Sequence, residues 1–180
     1  GLGKATAYGQ VGILPPTLTI AKPVEEHVID GVRFVFQNVP GSEAPSEFTF
    51  ALPELKAWCG AELVSHTLHN VMTPRGAKVR DALRWARYMD EAIGLAQGAE
   101  VYFGSHHWPV WGADRIRDFI AAQRDVMKYT HDQTVRLFNS GLNADEIADR
   151  LVLPPELDRI LHARGYYGAL RHNVRAVFQY

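Results

Sequence analysis

The sequence predicts an α/β layer followed by an all-α segment, on three observations. Short extended runs separated by turn signals fill the chain as far as Leu63. From Ala77 the apolar residues recur at three and four positions, the period of a helix, and Val101 and Phe103 then mark a further strand. Beyond Gly141 the apolar pattern is helical throughout. Strand, helix, strand is the pattern of an α/β layer, which places functional residues at strand ends and in the loops that follow.

Taken in order, EHVI, Asp30-Gly31 and VRFVFQNV read as a hairpin, because Asp-Gly tolerates the positive φ angles of a tight turn. Phe48–Leu52 and Lys56–Leu63 are two further strand candidates after the loop Pro40–Glu47. Val79, Leu83, Ala86, Met89 and Ile93 form the apolar face of a helix that closes near Gly94–Gly98. A second helix is expected after Gly112-Ala113-Asp114, with Asp114 as its cap, running through Ile116, Ile120, Met127, Thr134 and Leu137 to Ser140-Gly141. Ala144–Leu151 follows, then Pro154-Pro155 opening Glu156–Ala163, a turn at Gly165–Gly168 and a last helix. A domain boundary is expected near Gly141–Asn143. Both ends are abrupt, which suggests a piece of a longer protein.

Nineteen Lys and Arg against twenty Asp and Glu leave no basic or acidic block, so bulk charge points to neither nucleic acid nor an anionic membrane surface. Cys59 is the only cysteine, which excludes an intrachain disulfide framework and a cysteine-based zinc finger. A metal site would have to use His, Asp and Glu. No apolar run approaches the ~18 residues of a membrane span, and GLGKATAYGQ lacks the charged-then-apolar order of a signal peptide.

Eight histidines stand at positions 27, 66, 69, 106, 107, 131, 162 and 172. His131 and His162 read as surface or satisfied helix residues, and His27 as a hairpin neighbour. His66 and His69, three apart beyond a strand end, have a spacing that converges on metals in some proteins and is common in ordinary loops. Glu43, in the proline-stiffened loop GSEAPSE, has no structural duty there unless it caps or binds. Glu62 ends KAWCGAEL, where a buried charge would cost several kcal/mol unless paired or metal-bound. His106 or His107 ends the next strand, and as neighbours on an extended chain the two would point to opposite faces. Two glutamates and one histidine at strand ends suit zinc or a similar divalent ion; ordinary caps and ion pairs account for them equally well. Arg75, in TPRGAKV before an expected helix start, is placed to bind a tetrahedral oxyanion, or is a solvated arginine at a helix entrance.

With these segments in order, the chain resembles bacterial alkylsulfatases of the metallo-β-lactamase fold, the group that includes sodium dodecyl sulfate hydrolases and secondary alkylsulfatases. The resemblance is carried by GLGKATAYGQVGILPPT, DGVRFVFQNVPGSEAPSE, AELVSHTLHNVMTPRGAKVRDALRW, SHHWPVWG, HDQTVRLFNSG and RGYYGALRHNVRAV. It implies an αββα sandwich of which residues 1–140 are the second half, and a helical dimerisation domain that begins at 141–180. It also implies two zinc ions in one site, with Glu43, Glu62 and His106 as ligands and Glu62 bridging. His107 would face away. Arg75 would hold the sulfate group, and Tyr8 would line its pocket. Tyr167 stands where some relatives carry a histidine proposed to protonate the leaving alcohol; a phenol with a reference pKa of ~10 is a poorer acid at neutral pH but donates a hydrogen bond.

The family's HxHxDH motif is not in these residues and would lie upstream, so the segment alone should bind metal poorly. The implied activity of the intact protein is zinc-dependent hydrolysis of alkyl sulfate esters to alcohol and inorganic sulfate, by a homodimer that uses neither nucleic acid nor a membrane span. Two alternatives stand beside it. One keeps the fold and changes the substrate to a phosphoester or lactone. The other is a non-catalytic helical dimerisation module.

Overall fold

The computed structural model describes residue 9 and residues 12–180. Six strands, β1 (Val24–Ile29), β2 (Val32–Asn38), β3 (Phe48–Leu52), β4 (Ala57–Cys59), β5 (Val101–Phe103) and β6 (Val110–Trp111), form one sheet in sequence order. Every neighbouring pair is antiparallel except β4 and β5, which run parallel because α1 (Ala82–Leu95) crosses between them. The β1–β2 hairpin turns at Asp30 (φ 50°) and Gly31 (φ 80°), the left-handed pair that a two-residue hairpin requires. Strand β6 had no sequence signal; at two residues it is too short to show alternation.

Alternation along β2 and β3 sorts the sheet into two faces. Val35 and Gln37 of β2, Thr49 and Ala51 of β3, Trp58 of β4 and Tyr102 of β5 face α1 and α2 (Ala113–Asn139), and most of them are buried with Trp85, Met89, Ile116 and Ile120. On this face Thr49 Oγ1 donates to Gln37 Oε1 at 3.0 Å, and Gln37 Nε2 donates to the α1 carbonyl of Tyr88 at 3.0 Å, so the buried polar pair is satisfied. The other face carries Phe34, Phe36, Phe48, Phe50 and Phe103 in contact, with ring centroids 5.2–6.4 Å apart. Among the described residues no helix covers that ladder, and Phe48 is exposed.

Helix α1 starts five residues later than its apolar period suggests. Gly76 (φ 85°) breaks the chain, the Arg80 amide donates to Val71 O at 3.0 Å, and Asp81 caps the helix by accepting from Arg84 N at 2.9 Å. Residues 77–81 therefore lie outside the helix, with Asp81 extended, and Arg75 stands seven residues ahead of its first residue, Ala82. Gly112, not Asp114, occupies the cap position of α2. The C-terminal part consists of α3 (Ala144–Arg150), α4 (Pro155–Asp158), a short 3₁₀ turn at Leu161–Ala163, and α5 (Leu170–Gln179). Asn143 opens α3 with a capping box: its side chain accepts from Asp145 N and Glu146 N, and Glu146 reaches back to Asn143 N. Ala176 and Val177 of α5 join the same core as the strands and α1. No described helix is long and apolar enough to cross a membrane.

Candidate functional site

Glu43 sits in the loop between β2 and β3, which folds on itself through Gly41 N to Ala44 O (2.8 Å) and Val39 N to Glu47 O (2.9 Å). Glu62 follows β4 in a tight turn rather than lying in a long strand. Gly60 packs there against Tyr102 so closely that a Cβ would lie 2.6 Å from the ring, and Ala61 takes a left-handed φ of 46°. Trp85 Nε1 donates to Leu63 O (2.8 Å) and Tyr102 hydroxyl to Val64 O (3.1 Å), which pins the turn to the core. The chain then runs through His66 and His69, both 4 % exposed.

These loops converge. Glu43, Glu62 and His69 each offer a ligand atom, and the three atoms lie within 4.8 Å of one another. Glu62 Oε2 is 3.8 Å from His69 Nε2 and 3.4 Å from His106 Nε2, so its carboxylate lies between two imidazoles. His69 Nδ1 is 3.0 Å from Asn70 O, a carbonyl that can only accept, which fixes the proton on Nδ1 and turns the Nε2 lone pair toward Glu62. Burial holds His69 below the usual imidazole range, the Arg80 charge adds to this, and the Asn70 carbonyl and Glu62 oppose it. A neutral imidazole lone pair directed at a carboxylate is repulsive unless a cation lies between them. Carboxylate oxygens with imidazole nitrogen are the donor set of a divalent ion such as zinc, so these residues fit one.

Arg80, 9 % exposed, supports the cluster. Its guanidinium pairs with the Glu43 carboxylate and donates to Asn70 O (2.8 Å) and Asn70 Oδ1 (2.6 Å), while lying 5.8 Å over the Trp85 ring. Glu47 accepts from Ser42 Oγ, Glu43 N and Glu62 N; burial pushes its carboxyl up, against the lowering effect of those three donors.

A pocket of about 250 Å³ opens beside the donors, lined by Ser65, Thr67, His69, His106, His107, Tyr166 and Tyr167. Tyr167 packs edge-on to His69 with centroids 5.0 Å apart. His106 and His107 both line this pocket. Opposite-facing side chains require an extended chain, and residues 105–107 are bent, with His107 at φ 66°. Arg75 is exposed on its loop and is not among the lining residues, and Tyr8 lies outside the described residues. His162 is no surface residue: it is half-buried and packs on Phe119 at 4.6 Å and His66 at 5.3 Å.

The site loops are stitched to the C-terminal part. Asn173, 1 % exposed on α5, accepts from Val71 N at 3.0 Å and donates to His69 O at 2.9 Å. Leu68 N donates to Arg164 O and Gly168 N to Leu68 O. Arg80, Glu47 and Asn173 escaped sequence reasoning, and His69 enters it only through its three-residue spacing from His66. Asn173 did leave a signal, a polar residue in the apolar register of Leu170, Val174 and Val177.

Residues 143–180 match the family model described as alkyl sulfatase dimerisation. An alkyl/aryl-sulfatase of Saccharomyces cerevisiae, BDS1, is 46% identical over 180 residues, 99% of this chain and 28% of that protein. The solved structure of Pisa1, a stereoselective inverting sec-alkylsulfatase from Pseudomonas sp., superposes with a TM-score of 0.89 at 44% identity, covering 92% of this chain and 26% of that one. A metallo-beta-lactamase family protein of Thermus thermophilus, at 15% identity and a TM-score of 0.53, covers 91% of this chain and 48% of its own, and shares the fold. The chain thus spans a little over a quarter of the length of the curated relatives it matches. Along its whole length the chain is similar in sequence to part of these alkylsulfatases, and its fold is that of a metallo-β-lactamase family protein.

Proposed function

We propose that the intact protein hydrolyses alkyl sulfate esters to an alcohol and inorganic sulfate at a zinc centre to which this segment contributes Glu43, Glu62 and His106, with His69 as a further donor. The observation that carries the reading is the position of the Glu62 carboxylate, between two imidazole nitrogens, in a donor group with Glu43, and beside the pocket. Zinc bound there supplies water of lowered pKa, toward ~7, and Lewis-acid polarisation. In this reading Glu43, Glu62, His69 and His106 would hold zinc together with the HxHxDH motif of the longer protein, and the family resemblance implies two ions.

The chain's own residues do the rest. Arg80 neutralises Glu43 and fixes its rotamer, leaving Glu62 as the unneutralised carboxylate of the donor group. Tyr167 lines the pocket, where its phenol would donate a hydrogen bond to a sulfate or leaving-group oxygen. Arg75 and Tyr8 would bind the sulfate group, as the family resemblance implies; Arg75 stands on an exposed loop. Residues 1–140 are the second half of the catalytic domain, and 141–180 begin a dimerisation domain through which two copies associate. The family model at 143–180 supports this division.

The test is metal analysis of the full-length protein with Glu62→Ala, His69→Ala and His106→Ala, beside assays of dodecyl sulfate, a phosphodiester and a lactone. Loss of zinc in the Glu62 variant together with turnover of the sulfate ester alone is expected. Unchanged zinc content in all three variants would remove the metal centre, and turnover of the phosphodiester or lactone in place of the sulfate would reassign the substrate.

A further inference from the structure

We propose that Glu47 is a positioning residue that sets the spacing between the two carboxylate ligands Glu43 and Glu62; the inference rests on the metal-centre reading above. Its two carboxylate oxygens are divided between them. Oε2 receives the Glu43 amide at 3.1 Å and the Ser42 hydroxyl at 2.7 Å, and Oε1 receives the Glu62 amide at 2.9 Å. The two oxygens of a carboxylate are a rigid pair, so the backbones of Glu43 and Glu62 are fixed to one common unit although they belong to different connections of the sheet.

An ordinary loop brace would behave otherwise. The bonds to Ser42 and Glu43 close Glu47's own loop, but the bond to Glu62 N crosses fifteen residues to a turn that follows a different strand. The base of the Glu47 loop is independently closed by Val39 N to Glu47 O and Gly41 N to Ala44 O, so the loop has its own ties without the side chain. Glu47 does not line the pocket and meets no cation among the described residues; its carboxylate is satisfied by N–H and O–H donors alone. Such outer partners fix the orientation of the groups that hold a metal, and their loss lowers metal affinity about 10–100-fold.

Glu47→Gln is the discriminating change, because it keeps the volume but offers an oxygen to one side and an NH₂ to the other, where it meets an N–H or O–H donor. In the full-length protein we expect its zinc dissociation constant to rise at least about tenfold and the visible absorption bands of the cobalt-substituted form to shift, with the melting temperature of the metal-free form unchanged. Glu47→Asp, too short to reach both loops, gives the same result if the Gln variant fails to fold. Parent-like zinc affinity, or lowered metal-free stability with an unaltered cobalt spectrum, would overturn the proposal. Glu43→Ala and Glu62→Ala serve as controls: if both retain zinc, the metal-centre reading itself fails, whereas their loss of zinc beside a parent-like Glu47→Gln rejects Glu47 alone.

Discussion

Replacing Asn173 by Ala tests whether the last helix holds the histidine loop in place. The side chain makes two bonds to buried backbone, accepting from Val71 N at 3.0 Å and donating to His69 O at 2.9 Å, across more than a hundred residues of sequence. Val71 is fully buried and His69 nearly so, so water does not replace the lost partners. Each stranded group costs about 1–3 kcal/mol; after the side-chain ordering that Ala avoids, about 2–4 kcal/mol of local stability should be lost. At 1.4 kcal/mol per tenfold, amide exchange over residues 66–73 should quicken roughly 30- to 700-fold in the metal-free, full-length protein. Mass spectrometry of that peptide after timed exchange measures it. Asn173→Asp keeps the acceptor for Val71 N but sets a carboxylate oxygen against the His69 carbonyl, and should be no better than Ala. Exchange within about threefold of the parent would refute the claim that α5 anchors this loop.

Two further outcomes follow from the same neighbourhood. Burial holds both His66 and His162 below the usual imidazole range, and the Nδ1 of each is buried without a partner among the described residues. The unfolded chain therefore takes up these protons at a higher pH than the folded one: stability is complete above about pH 6.5 and falls as the pH drops below it, at up to about 1.4 kcal/mol per pH unit for each group. Urea titrations of the metal-free protein between about pH 7.5 and 5.5 check the slope, and His66→Phe should flatten it. Gly168→Ala would place a Cβ 2.5 Å from both the carbonyl carbon and oxygen of His69, which are backbone atoms and cannot turn aside. We expect a loss of about 1–3 kcal/mol, read by thermal unfolding, with weakened zinc retention; a parent-like melting curve would contradict the close approach.

How much of this was legible depended on how local each signal is. The hairpin at Asp30-Gly31 and the strand Phe48–Leu52 were readable, because two residues that accept positive φ and a period of two are local properties. The start of α1 was not: Val79 has the helical spacing, yet a bond from Arg80 to Val71 O and the Asp81 cap override it. Glu43 and Glu62 stood out as acidic residues at strand ends, and the structure brings them together. His69 was weighed and set aside because a three-residue spacing says nothing of which loop folds over it. Its burial beneath Tyr167 and beside Trp85 is a tertiary fact. Glu47 and Arg80 act by touching other residues' backbones and carboxylates, and no pattern in a single sequence reports such contacts.

The electrostatics of the cluster explain why its parts belong together. Arg80 answers Glu43, whereas Glu62 faces two imidazoles, one of which burial holds below the usual imidazole range. An anionic ester entering the pocket past Tyr167 would meet that uncompensated carboxylate and be repelled. With a divalent ion among Glu43, Glu62 and the histidines the sign reverses, and the same carboxylate becomes part of a site that attracts sulfate. The proposed activity and the proposed metal centre are in this sense one claim, because the geometry that would bind the ion is unfavourable to the substrate without it. The stitching of His69 to Asn173 and Gly168 then makes the site depend on the segment matched by the dimerisation model. A disturbance of α5 reaches the His69 loop through two hydrogen bonds rather than through a long chain of packing.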